Sequence, residues 1–274
     1  MSDFLSTMAE VSKRRASETK ARAGLTGLTS RASSARPVVS LDLPEKGFDL
    51  IAEVKLASPT DGQLLTAADP ERRVQELASL YKDGGAAAIS VLTEPSRFEG
   101  SLDHLEAAAA AVDVPVMRKD FLVDPIQVIE ARAAGASGVL LIARLTDGSL
   151  LTEMTDAAIG LGMFVLVEVF DKADLDMASI LFDREVLIGV NTRDLTTLEV
   201  EPGRLARLAP HLPGHLPAVA ESGMGSTGDA EFAAGLSYRM ALVGTALVTS
   251  EAPEETTRAL IVAGRRMIAT EAAS

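Results

Sequence analysis

The sequence predicts an α/β fold, a closed (β/α)8 barrel preceded by an N-terminal helical extension. Three observations predict it. From position 50 onward, short runs of Val, Ile, Leu and Ala alternate strictly with amphipathic stretches, eight times over about 220 residues at spacings of roughly 23 to 30. Ala, Leu and Val carry the apolar content and aromatics reach only 4%, a composition that suits parallel strands covered by helices. After the first strand the chain reads Asp61-Gly62, not the GxGxxG loop that an open doubly wound sheet needs there.

The elements follow in order. From Asp3 to about Thr19 the chain is a candidate amphipathic helix, with Phe4, Leu5, Met8 and Val11 on one stripe. A helix packed on the side of the domain is the plain expectation for it, and a lid over a site the sharper one. Positions 30–40 are rich in Ser, Ala and Arg and include Pro37, which reads as a linker. Residues 1–48 are therefore assigned to the extension and linker, and 49–274 to the barrel. The first strand covers 50–55. Asp69-Pro70 starts a helix, with the carboxylate as cap and proline at the first helical position, and Gly84-Gly85 stops it. Strands then fall at 87–92, 114–119, 138–143, 164–169, 186–190, 217–221 and 240–244. Helices fall at 101–111, 124–134, 147–161, 171–181, 202–208, 226–235 and 253–270, most of them opened by Ser, Asp or Pro.

Composition excludes several functions. The formal charge of −13 and acidic pI argue against nucleic acid or an anionic membrane as the main partner. They leave room for a phosphorylated small molecule at a locally basic site. With no cysteine, disulfides, thiolate metal sites and cysteine nucleophiles are all excluded. Three histidines form no HExxH or His cluster, so no metal site is expected. The longest apolar runs are too short to span a bilayer, and the N-terminus has acids and no apolar core of a secretory signal. The expectation is a cytoplasmic protein, monomer or homodimer.

In a barrel of this kind chemistry sits at the carboxyl ends of the strands. Side chains alternate along a strand, so Glu53 and Lys55 share a direction, and so do Met117 and Lys119. If Met117 points into the barrel, Lys119 points into its mouth. Strand five adds Glu168, strand six Asn191 with Arg193 two residues on, strand seven Glu221-Ser222-Gly223, and strand eight Gly244-Thr245. Taken singly, a glutamate at a strand end is an ordinary ion-pair or solvated residue, and each glycine an ordinary turn. Two lysines and three glutamates at one mouth form a charge network that costs stability, and fold alone gives no reason to build it. Such a network shifts acids and bases toward usable pKa values. The loops after strands seven and eight are where barrels commonly bind phosphate. The residues thus point to acid–base chemistry without a metal on a sugar-phosphate-like substrate.

Several motifs resemble the indole-3-glycerol-phosphate synthase family. They are Ile51-Ala-Glu-Val-Lys-Leu-Ala-Ser-Pro59, Ser90-Val-Leu-Thr-Glu-Pro95, Phe98-Glu-Gly-Ser101, Arg118-Lys-Asp-Phe121, Leu166-Val-Glu-Val169, Gly189-Val-Asn-Thr-Arg-Asp-Leu195, Glu221-Ser-Gly223 and Val243-Gly-Thr245. The resemblance implies a TIM barrel with a helical extension over its top. It also implies cyclisation, decarboxylation and dehydration of 1-(2-carboxyphenylamino)-1-deoxyribulose 5-phosphate without cofactor or metal. It would make Lys119 the general acid, Glu168 its partner acid or base, and Glu53 the residue that sets the charge state of Lys55. Lys55 would lie near the substrate carboxylate and phosphate, and Arg193 would approach the substrate carboxylate. Asn191 and Glu221 would orient the sugar hydroxyls and Lys119. Ser58, Ser222, Gly223, Gly244 and Thr245 would hold phosphate, and Phe98 and Phe121 would flank the aromatic ring. The sequence departs from the family at Leu56, at Thr60-Asp61 and at Phe170, where a polar residue is more usual. The alternatives are a specialised or non-catalytic barrel binding a related sugar phosphate, or a phosphoribosylanthranilate-isomerase-like barrel. The latter works through Asp or Cys pairs, which are not the residues at these strand ends.

Overall fold

The computed structural model describes residues 4–44, 47–60, 62–65, 67–195 and 197–272. Asp3, the expected helix start, and Asp61 lie outside the described residues. The chain enters through α1 (Phe4–Ser34), which is broken at Gly24, where φ is 62° and ψ 164°. This corrects the expected linker over 30–40, because helix continues to Ser34. The Ala- and Arg-rich sequence has adequate helix propensity, and burial decides the rest: Leu28 and Ala32 are buried, Leu28 in a cluster with Ala16 and Ile126.

From Ser34 the chain passes beneath the barrel. The Arg36 guanidinium donates to the Val112 carbonyl at 3.1 Å, and the Val39 amide to the Ser137 hydroxyl at 3.0 Å. Leu41 and Leu43 pack against the barrel interior from that end.

The barrel strands are β1 (Asp49–Val54), β4 (Ala88–Leu92), β5 (Val116–Lys119), β6 (Gly138–Ile142), β7 (Phe164–Val169), β8 (Leu187–Asn191), β9 (Ala218–Glu221) and β10 (Met240–Val243). Between β1 and β4, two short strands, β2 (Ala57–Ser58) and β3 (Gly62–Gln63), form an antiparallel hairpin that the sequence pattern did not signal. The eight barrel strands pair in parallel and in chain order, and β10 closes on β1, so the expected (β/α)8 TIM barrel is the fold. The helices after α1 are α2 (Pro70–Asp83), α3 (Pro95–Phe98), α4 (Leu102–Ala111), α5 (Pro125–Ala133), α6 (Gly148–Gly160), α7 (Lys172–Ala178), α8 (Arg204–Leu208), α9 (Thr227–Gly235), α10 (Thr245–Val248) and α11 (Pro253–Ala272). The expected caps hold. Asp69 accepts from the Arg72 amide, Ser101 from His104 and Asp124 from Ile126, while Ser226 and Asp229 form a reciprocal capping box.

Two concentric cores result. One lies between strands and helices and takes the outward strand residues, such as Ala52, Val91, Val139 and Val167. The other fills the barrel with Ile51, Ala88, Met117, Leu140, Leu166, Leu187, Val219 and Met240. Met117 is thus inward, and the same parity sends Lys119 to the mouth. Met8 of α1 and, less deeply, Phe4 and Leu5 join this inner core, so α1 is both a side helix and a cover for one edge of the mouth.

Candidate active site

Five of the strands that contribute an inward apolar residue to the barrel floor carry, two or four positions on, a polar group at the mouth. β1 carries Glu53 and leads to Lys55, β5 carries Lys119, β7 Glu168, β8 Asn191 and β9 Glu221. The register places Glu168 beside Gly189 and Asn191 beside Glu221. These residues border a cavity of about 460 Å³, within the roughly 300–1,000 Å³ of small-molecule sites.

At its base the Lys119 ammonium lies 3.5 Å from a Glu168 oxygen, 3.6 Å from Glu221 and 3.9 Å from Glu53. None of these approaches the ~2.7–2.9 Å of a tight charge-assisted hydrogen bond. The ammonium is therefore centred among three carboxylates instead of being consumed by one, and its side chain keeps 17% of its surface open. Burial works against its charge, but Glu168, Glu221 and Glu53 more than offset that, and its pKa is raised. Lys119 is fully protonated at neutral pH. Glu53 is pushed up by burial, yet Lys55 at 3.1 Å and Lys119 hold it below the usual carboxylate range.

Three carboxylates thus crowd around two ammonium groups in a buried cluster, where like charges oppose one another. Glu221 is the group that gives way. Burial, and then the neighbouring Glu168 carboxylate, push its pKa well above the usual range, and Lys119 offsets this only in part. Neither of its carboxyl oxygens has a hydrogen-bond partner among the described residues. A carboxyl at Glu221 that holds its proton this strongly places an acid beside the Lys119 ammonium.

Space for these carboxyls comes from two glycines. A Cβ at Gly189 would collide with Oε1 of Glu221, and one at Gly244 with Oε1 of Glu53. Gly244, expected only as a phosphate contact, therefore also makes room for the Glu53–Lys55 pair. Gly189 was not anticipated, although its inward parity between Leu187 and Asn191 was the available signal.

The rim divides into two sides. On one, Ser222, Gly223, Gly225, Gly244, Thr245 and Ala246 line the cavity together. Ser222 and Gly223 both adopt positive φ, at 62° and 66°, which bends the chain back after β9. On the other side, Phe98 and Phe121 line the cavity, with ring centroids 6.3 Å apart. Phe4 of α1 meets Phe121 edge-on at 5.8 Å. The strand-end pattern had not singled out Phe4 or the apolar liners Leu140, Ile142 and Leu242. Parity gives the last three, and the helical stripe gives the first.

Arg193 lies between this cavity and a smaller one of about 60 Å³. Its guanidinium donates to the Leu198 carbonyl at 2.7 Å, and its amide to Asn191 Oδ1 at 2.9 Å. Ser58 borders the smaller cavity with Lys55, Phe98 and Phe4. The structure brings together every other expected site residue, but it places Ser58 beside the lysine and aromatic side, away from the Ser222–Thr245 rim. Among the described residues, no group of three or more His, Asp or Glu is arranged to hold a metal ion, and no helix is long and apolar enough to cross a membrane.

Comparison with known proteins agrees with this geometry. The family model for indole-3-glycerol phosphate synthase matches residues 5–260. The chain is 49% identical over 222 residues to the indole-3-glycerol phosphate synthase of Mycobacterium avium (strain 104), covering 81% of this chain and 79% of that one. It is 44% identical over 247 residues to the enzyme of the same name from Mycobacterium tuberculosis (strain CDC 1551 / Oshkosh), covering 89% of each. Among solved structures, 3-hexulose-6-phosphate synthase from Salmonella typhimurium superposes with a TM-score of 0.63 at 14% identity, over 80% of this chain and 99% of that one. Thiamine phosphate pyrophosphorylase from Pyrococcus furiosus gives 0.55 at 16%, over 81% and 96%. At these identities the two structures speak for the barrel alone.

Proposed function

The chain belongs to the indole-3-glycerol phosphate synthase family, and from that premise we propose that its barrel mouth converts 1-(2-carboxyphenylamino)-1-deoxyribulose 5-phosphate to indole-3-glycerol phosphate, carbon dioxide and water. This is the ring-forming step of tryptophan biosynthesis and makes the protein a carboxy-lyase. The observation that carries it is the Lys119 ammonium, held protonated among Glu53, Glu168 and Glu221 without being bonded tightly to any of them.

Forming a carbon–carbon bond to an aromatic ring carbon requires an electrophilic carbonyl. Lys119 donates a hydrogen bond, then a proton, to the ketose oxygen as the ring carbon attacks. Loss of carbon dioxide restores aromaticity, and the protein has only to orient that step. Dehydration then needs an acid for the departing hydroxyl and a base for the ring proton. Glu168 works at this stage beside Lys119, and protonated Glu221 supports the sugar hydroxyls with Asn191. Lys55 and Arg193 neutralise the substrate carboxylate, with Glu53 holding Lys55 in place. Phe98 and Phe121 sandwich the anilino ring on the side that α1 covers. Ser222, Gly223, Gly244 and Thr245 receive the phosphate, and Ser58 approaches from the Lys55 side. In this scheme residues 1–48 act as the cover and strap of the 49–274 barrel.

The test is turnover of the anilino-deoxyribulose phosphate by purified protein in the presence of a chelator, followed by indole fluorescence. Steady product formation supports the proposal. A folded protein that binds the compound and leaves it unchanged overturns it.

A further inference from the structure

Asp120 follows Lys119 directly, yet its carboxylate takes no part in the cluster around the lysine. Its side chain is wholly buried, and it accepts five hydrogen bonds. Arg15 of α1 grips it with both terminal nitrogens, at 2.9 and 2.7 Å. The Thr93 hydroxyl donates to it at 2.7 Å, Arg118 at 3.1 Å and the Phe121 amide at 2.8 Å. Arg118 continues the chain of contacts to Glu130 of α5 at 2.9 Å, and the Thr19 hydroxyl of α1 donates to that carboxylate at 2.8 Å. Two guanidinium groups thus face two carboxylates in one connected network. Burial opposes ionisation of Asp120, but Arg118, Arg15 and Thr93 hold its pKa below the usual carboxylate range.

What meets at this carboxylate is specific. Arg15 belongs to α1, which carries Phe4 over the mouth. Thr93 directly follows β4, donates its amide to the Lys119 carbonyl at 3.0 Å, and leads into α3, which carries Phe98. The amide of Phe121 is bonded to Asp120 itself. The segments that carry the three aromatic rings and the peptide bearing Lys119 thus meet at one carboxylate, and among the described residues only Arg15 reaches it from α1.

We propose that Arg15 and Asp120 are positioning residues: their pair latches α1 over the mouth and sets Lys119 against the Phe4–Phe98–Phe121 wall. Neither needs to touch the reacting atoms. A bidentate pair fixes both distance and orientation, and a displacement of about 1 Å at a reacting group can cost on the order of a hundredfold in rate. The proposal rests on the synthase function above.

The test compares wild type with Arg15→Met, Arg15→Lys, Asp120→Asn and the Arg15→Met/Asp120→Asn double variant, at a temperature well below each melting point. Arg15→Met leaves every barrel residue intact and should fold. The expected result is a fall in kcat of roughly ten- to a hundredfold, partial recovery in Arg15→Lys, and a double variant no worse than the poorer single one. In parallel, amide exchange of residues 4–23 and 119–121 should quicken in Arg15→Met. A purely stabilising contact would lower the melting point and leave kcat within twofold. That result, a rise in KM at unchanged kcat, or losses that multiply in the double variant would overturn the proposal. Wild type without turnover would instead defeat the synthase function, and the latch is then decided by the exchange data, where unchanged rates overturn it.

Discussion

The carboxyl of Glu221 occupies the space that Gly189 leaves open on the neighbouring strand. The two residues lie on adjacent strands, and a Cβ on Gly189 would collide with Oε1 of Glu221. Gly189→Ala should therefore cost about 1–3 kcal/mol of stability, as overpacking does, and lower kcat by displacing Glu221. The stability cost should largely vanish when Glu221→Ala is combined with it. Thermal melts of the two single variants and the double variant check this, and additive losses would show that the two sites are independent.

Glu221 also sets a pH dependence whose sign is fixed. Its pKa is raised in the folded protein, so the native state keeps a proton that the unfolded chain releases. Its contribution is fully favourable below the ordinary carboxylate range and is lost as pH rises through the raised value. Glu221→Gln removes that loss. The variant should gain Tm over wild type by a margin that widens as pH rises above the ordinary carboxylate range, while kcat falls at least tenfold. Parallel pH dependence of Tm in the two proteins would refute the neutral Glu221.

A third prediction concerns support outside the cavity. Phe170, after β7, is buried beneath the Arg144 guanidinium, 4.4 Å from the ring centroid, and Arg204 lies 6.0 Å from the same ring. Arg144 pairs with Asp174, whose carboxylate also accepts from the Phe170 amide at 2.9 Å. Arg144 does not line the cavity. Arg144→Ala should cost about 1–2 kcal/mol from the cation–π contact and the part-buried ion pair. Its kcat should stay within threefold of wild type. A larger kcat loss in a folded variant would place Arg144 in the catalytic machinery.

Much of the barrel is legible in the sequence because its physics is local and repeated. Strand parity, helix caps at Asp69, Ser101 and Asp124, and glycine stops each appear within a few residues of their effect. The same parity gives the lysine–glutamate cluster, since inward Met117 implies mouth-facing Lys119. What is not legible depends on contacts between distant segments. The 30–34 stretch is helical because Leu28 and Ala32 are buried, which its Ser-rich composition does not signal. The hairpin strands Ala57–Ser58 and Gly62–Gln63 are too short for any periodicity, and Ser58 goes with them to the smaller cavity. Asp120 looks idle until Arg15, 105 residues away, is seen to hold it. Phe170, unusual as a residue after Glu168, is explained only by the two arginines that the turn after β6 and the start of α8 bring to its ring.

The central role given to Lys119 is tested most directly by comparing Lys119→Ala with wild type under substrate saturation, with folding and substrate binding measured on the same samples. The ammonium is the electrophilic partner of ring closure, so kcat should fall by on the order of a hundredfold or more with Tm and affinity largely kept. A Lys119→Ala protein that forms indole product at close to the wild-type rate would contradict it.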